Sequence, residues 1–268
     1  MSPTAPDDVN ILDRPEVCNA IFHPRSEWGR PADPAKDHLI PVATDTAVGG
    51  RFYTLSPEGC NILFFHGNGE IVSDYDDIGP LFNRIGINLL AVDYRGYGRS
   101  DGTPTVSAML ADSHPILDYT LNWLAGHGYS GPLVVMGRSL GSAPALELAA
   151  SRTDAISGLI IESGFAFAAP LLHLLGVDVE RIGFKEQQGF RNIDKIAQYA
   201  GPTLIIHAQH DHIIPYADGK ALYEASAGIR KRLLRIDGAD HNDLFFVGMT
   251  QYLQAIADFL QEVAGASR

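Results

Sequence analysis

The chain has 268 residues, 46% hydrophobic and 19% charged, with a formal net charge of −12 at pH 7. That length and composition suit a globular protein with a substantial core, most simply one large domain, and the acidic balance argues against nucleic acid or an anionic membrane surface as the main partner. Two cysteines, Cys18 and Cys60, make neither a disulfide framework nor, alone, a structural zinc site.

Residues Met1 to Asp8 contain no basic segment followed by an apolar one, and no uncharged apolar run approaches the ~20 residues of a membrane span. A cytoplasmic protein without a transmembrane segment is expected. Residues 1–35, rich in Pro and Asp, read as an N-terminal arm lying over a domain of residues 36–268. Strand-like runs follow at Leu39–Ala43, Arg51–Leu55, Asn61–Phe65, Ile87–Val92, Leu133–Met136, Gly158–Ile161, Thr203–His207 and Arg232–Ile236. Several are almost continuously apolar, as strands buried on both faces must be. Helical patterns fall at about 75–85, 107–126, 140–151, 216–227 and 246–263. The alternation predicts an α/β fold with a mostly parallel sheet and helices on both faces. The first two strands have no helix between them and should form an antiparallel hairpin at the sheet edge. Segment 164–200 breaks the rhythm and reads as a short lid-like insertion. Its Phe165, Phe167, Leu171, Leu172 and Leu175 are candidates to line a substrate pocket, and plain core packing is their other reading.

Gly137-Arg138-Ser139-Leu140-Gly141 follows the apolar run Leu133–Met136 and precedes a helical segment. A serine at a sharp strand-to-helix turn needs small neighbours so that the backbone can pass closely and present the hydroxyl. Ser139 is therefore the candidate nucleophile. Ser100 and Ser163 lack the double glycine frame. A serine hydroxyl needs a base to take its proton. His241 lies in the turn-rich loop Gly238–Asp243, after the last strand and before the last helix, at the sheet edge where a base must stand. Asp211, in the loop after Thr203–His207, is the candidate acid that orients it, with Glu162 as a rival at the end of the preceding strand. The order Ser, Asp, His is that of G-x-S-x-G hydrolases. His207, His210, His212, Asp211 and His241 also allow a metal reading, but their spacing matches no known metal motif, and neither a metal nor an organic cofactor is expected.

Acyl transfer places negative charge on an oxygen that two backbone N–H groups should meet. Leu140, next to Ser139, supplies one candidate. Asn68, in His66-Gly67-Asn68-Gly69 after the strand Asn61–Phe65, supplies the other. The loop Asp93–Ser100 reads as structural, with a buried Asp–Arg network.

These motifs, spread over about residues 50–260, resemble the α/β-hydrolases, and most closely the small branch containing the depalmitoylating α/β-hydrolase-domain enzymes. The resemblance implies an eight-stranded sheet and hydrolysis of carboxylic ester or thioester bonds of a small acyl substrate, without a cofactor. Lipid-anchored relatives carry an N-terminal cysteine cluster, whereas this N-terminus has only Cys18. A non-catalytic binding protein of the same fold, an acyltransferase and a peptidase remain the alternatives.

Overall fold

A computed structural model of the protein describes residues 11–28, 33 and 36–266. Of the sequence-predicted arm, residues 1–10, 29–32, 34 and 35 lie outside the described residues. Its described part holds a short helix, α1 (Pro15–Ile21), opened by a proline whose missing N–H costs nothing at a first helical turn. β1 (Asp37–Ala43) and β2 (Thr46–Tyr53) then form the antiparallel edge hairpin. β2 begins earlier than the predicted Arg51. Gly49 and Gly50 suggest a turn in sequence, yet they lie in the strand. A Cβ at Gly49 would stand 2.8 Å from the buried Asp93 carboxylate, so only glycine fits.

β3 (Asn61–Phe65) enters the middle of the sheet. The single helix predicted over 75–85 is divided into a 3₁₀ turn (Val72–Tyr75) and α2 (Gly79–Arg84), because Pro80 can only start a helix there. β4 (Asn88–Val92), α3 (Val106–Gly126), β5 (Leu133–Arg138), α4 (Ser142–Ser151) and β6 (Gly158–Glu162) continue the alternation. Segment 164–200 holds α5 (Ala168–Leu174) and α6 (Asn192–Ile196). The Glu186 carboxylate accepts the N–H groups of Ala168 (3.0 Å) and Ala169 (2.6 Å), satisfying donors at the start of α5. β7 (Thr203–Ala208), α7 (Tyr216–Ala225), β8 (Lys231–Ile236) and α8 (Leu244–Ala266) complete the chain.

The eight strands lie in the order β1-β2-β4-β3-β5-β6-β7-β8. β2 is antiparallel to both β1 and β4, and the remaining pairs are parallel. Alternation along each strand divides the core between the two faces. Leu63, Phe65, Leu133 and Val135 join α3, α4 and α7 on one side, whereas Ile62, Phe64, Val134 and Met136 join α2 and α8 on the other. The chain reverses direction across the sheet at β3, running to β4 on one side and then to β5 on the other. Open parallel sheets gather ligands just beyond the strand ends at such a reversal.

Glu27, ahead of β1, is fastened to this sheet by charge. Arg51, 3% exposed, donates to Glu27 (2.8 Å) and Asp37 (2.5 Å) and contacts Asp76, and Arg99 donates to the other oxygen of Glu27 (2.8 Å).

Candidate active site

Ser139 stands where β5 turns into α4, with φ of +52°. A non-glycine residue held there carries about 1–3 kcal/mol of strain, retained only when the surroundings enforce it. The surroundings are close backbone contacts. A Cβ on Gly137 would overlap the Gly141 carbonyl, and one on Gly141 would overlap the Phe65 carbonyl of the neighbouring strand. Gly141→Ala is accordingly expected to destabilise the fold by about 3 kcal/mol or more, measured by urea unfolding, since rigid backbone on both sides cannot make room.

His241 comes from the loop between β8 and α8 and is 4% exposed. Its Nε2 lies 3.0 Å from Ser139 Oγ and its Nδ1 lies 2.7 Å from Asp211 Oδ2. Asp211 sits in the loop after β7, where its Oδ1 accepts the N–H groups of Ile213 (3.0 Å) and Ile214 (2.7 Å). Burial alone would raise this carboxyl. The hydrogen bond and charge of His241, with the Ile214 N–H and His207, outweigh burial and hold it below the usual aspartate value. An ionised carboxylate only accepts, so Nδ1 of His241 carries a proton toward Asp211, and neutral Nε2 is left to accept from the Ser139 hydroxyl.

His207, another member of the histidine group, has a different task. His207 is fully buried, burial lowers its pKa, and Nε2 donates to the Ile214 carbonyl at 2.8 Å, bracing the Asp211 loop. Among the described residues, no group of three or more His, Cys, Asp or Glu side chains is placed to hold a metal ion. Glu162, the rival acid, is engaged elsewhere. It accepts from Arg138 Nε (3.1 Å) and from the Tyr252 hydroxyl (2.7 Å). Burial raises its carboxyl, against the opposing effect of Arg138 and that hydroxyl.

Ser139 and His241 open into a cavity of about 180 Å³ that Asn68 and Leu140 also line. Its apolar wall includes Phe165, Leu171, Leu172 and Leu175 of the 164–200 segment, joined by Ile21, Phe190 and Ile213. Phe167, expected in the same wall, stands outside it. It immediately precedes α5, its side chain is 41% exposed, and its N–H points to Asp218.

The segment His23–Arg25, ahead of β1, meets the site in a way the sequence did not suggest. The Asn68 carboxamide turns toward it, accepting from the His23 N–H (3.0 Å) and the Tyr97 hydroxyl (2.7 Å) while Nδ2 meets His23 Nδ1 at 2.7 Å. Arg25 donates to the Gly69 carbonyl at 2.6 Å. Nothing local in residues 21–25 announces contacts to a loop some 45 positions away. The Asp93–Ser100 loop also differs from expectation. Asp93 is fully buried against the His66 ring (3.1 Å) and the Val72 N–H (3.0 Å), and the arginines turn outward, Arg95 forking onto Asp112 and Arg99 reaching Glu27. His66, fully buried, would lose its proton to desolvation, yet the Asp93 carboxylate holds its pKa up.

Among the described residues no helix is long and apolar enough to cross a membrane. The family model described as serine aminopeptidase matches residues 57–178. The human α/β-hydrolase domain-containing protein 17B is 31% identical over 257 residues, which are 89% of this chain and 80% of that protein. Among solved structures, an esterase of Pyrococcus furiosus superposes with a TM-score of 0.69 at 18% identity, covering 90% of this chain and 99% of that one. A monoglyceride lipase variant of Saccharomyces cerevisiae, solved with a substrate analogue, gives 0.66 at 17% identity over 85% of this chain and 95% of its own. A sequence likeness that runs through 89% of the chain, on a sheet of this order, makes the protein a hydrolase of the α/β-hydrolase family.

Proposed function

We propose that the protein is a serine hydrolase that cleaves a carboxylic ester or thioester through an acyl-enzyme on Ser139. The observation that carries this reading is the unbroken line from Ser139 Oγ through His241 to Asp211, at 3.0 and 2.7 Å, ending in an apolar cavity. His241 Nε2 takes the hydroxyl proton as Oγ attacks the acyl carbonyl. The oxygen that becomes negative is met by the backbone N–H groups of Asn68 and Leu140, and the proton passes to the leaving alcohol or thiol. Water, activated by the same imidazole, then releases the acid. The insertion 164–200 roofs the acyl pocket with Phe165, Leu171, Leu172 and Leu175.

Pocket chemistry favours an acyl chain over the amino end of a peptide. A substrate ammonium would need an available carboxylate, and the one in the lining, Glu70, already meets Arg138, the Gly67 N–H and the Tyr75 hydroxyl. A cavity of this size compares with the roughly 150 Å³ that accommodates a benzene ring, so acyl groups of about four to eight carbons should be turned over fastest. Leu171→Trp, placed on the cavity wall, should remove activity on the longer members of a p-nitrophenyl ester series before the acetate. An unchanged chain-length profile would refute this pocket.

The reading itself is tested with a fluorophosphonate probe. Covalent labelling confined to Ser139, with release of acid from a p-nitrophenyl ester, is the expected result. A native protein inert to both would instead be a binding protein of this fold, and transfer of the acyl group to an added alcohol in preference to water would make it an acyltransferase.

A further inference from the structure

Arg138, the residue before the candidate nucleophile, has contacts that the proposed reaction does not use. Its side chain is 14% exposed and has three partners, on two loops and at the end of one strand. One nitrogen pairs with Glu70 Oε1, whose second oxygen accepts the Gly67 N–H at 2.8 Å, directly before Asn68. Nε donates to Glu162 at 3.1 Å at the end of β6. Nη2 donates to the main-chain carbonyl of His241 at 2.9 Å. Two cavities flank the side chain, the catalytic one and a second of about 220 Å³ walled by Phe64, Phe82, Met136 and Phe245, and Arg138 lines both. With open space on two sides, hydrogen bonds rather than packing fix the position of the guanidinium.

We infer that Arg138 is a positioning residue that holds the base loop and the oxyanion loop in register with Ser139. The inference rests on the serine-hydrolase reading. The planar fork of arginine presents five donors in fixed directions, enough to serve three acceptors on separate elements. Through the His241 carbonyl it sets where the imidazole stands. Through Glu70 it sets where the Gly67–Asn68 backbone stands. Both must be right within a fraction of an ångström for the proton transfer and the oxyanion contacts to coincide.

Charge pairing is the competing explanation for such a residue, because removing an arginine that pairs with the buried Glu162 and the half-buried Glu70 destabilises the fold whatever the reaction. The variants separate the two. Arg138→Met strands Glu70 and Glu162 and should lose both stability and activity. The triple variant Arg138→Met/Glu70→Gln/Glu162→Gln removes all three charges together and keeps a neutral acceptor for the Gly67 N–H. It should regain most of the melting temperature lost in the single variant. Its kcat and its rate of fluorophosphonate labelling should nevertheless stay about 10²-fold below wild type, with KM for a short-chain ester within about threefold, as a displaced reacting group requires. Arg138→Lys, which keeps the charge but reaches fewer acceptors, should be stable and intermediate in kcat.

A stable triple variant with wild-type kcat would overturn the inference, as would a loss carried by KM alone. Either result leaves the hydrolase reading standing if the wild-type protein labels and turns over. A wild-type protein inert to probe and ester would bring down that reading and this inference together.

Discussion

Ser139→Ala is expected to lower kcat for a short-chain p-nitrophenyl ester by about 10⁶-fold and to abolish fluorophosphonate labelling, with KM little changed. The size of the loss follows from the role. Without Oγ there is no acyl-enzyme, and the oxyanion N–H groups can assist only direct attack by water. The fold should survive, because what the hydroxyl contributes is one hydrogen bond, to His241 at 3.0 Å, and the strained turn is enforced by the backbone around Gly137 and Gly141. Ser139→Gly gives a sharper version. It is equally inactive, but relief of the strain at φ +52°, about 1–3 kcal/mol, should exceed the roughly 0.5–1 kcal/mol entropic cost of a new glycine. Ser139→Gly should therefore unfold at higher urea than Ser139→Ala. Two inactive variants of different stability would show that the turn stores strain for presenting the hydroxyl. Retained ester turnover in either would remove Ser139 from the mechanism.

The layered sheet was legible because strands buried on both faces leave continuous apolar runs such as Asn61–Phe65, and because the turn chemistry around Ser139 is confined to five residues. Boundaries were less legible where a residue's local habit opposed its packing. Gly49 has the local habit of a turn and is a strand residue, since the neighbouring Asp93 carboxylate leaves no room for a side chain. Phe167 has the composition of a pocket residue and lies outside the pocket, because one step along the chain before a short helix moves a side chain to the other face. The three candidate catalytic residues meet across separations of 102 and 30 positions. Their sequence signal is position relative to strand ends, which topology converts into proximity. No comparable rule exists for Arg138 with Glu70, or for His23 with Asn68. Such pairs are set by how loops and the segment ahead of β1 pack over the finished sheet, and periodicity carries no information about that.

Asp211→Asn should cost about 10⁴-fold in kcat while leaving Ser139 and His241 in place. The carboxylate accepts two backbone N–H groups through Oδ1 and the imidazole through Oδ2. An asparagine can keep the backbone donors on its carbonyl oxygen, but its NH₂ group then faces Nδ1 and can only donate. The imidazole must move its proton to Nε2, where it points at Ser139 Oγ and can no longer accept. Activity should therefore return at high pH only if hydroxide or the serine alkoxide takes over the proton transfer. The same substitution has a signature in stability. Burial opposes the charge on Asp211, but its partners win and its folded pKa lies below the unfolded value of about 3.9. A lowered carboxyl contributes stability that is fully present above about pH 4 and is lost as the pH falls through the folded value. Asparagine cannot titrate and has no such contribution to lose. The stability difference between wild type and Asp211→Asn, measured by urea unfolding below about pH 5, where an ordinary histidine is already charged in the unfolded chain, should shrink as the pH falls. A difference that grew in acid would mean that Asp211 is protonated more easily in the folded protein than in the unfolded chain, so that burial outweighs its hydrogen-bond partners.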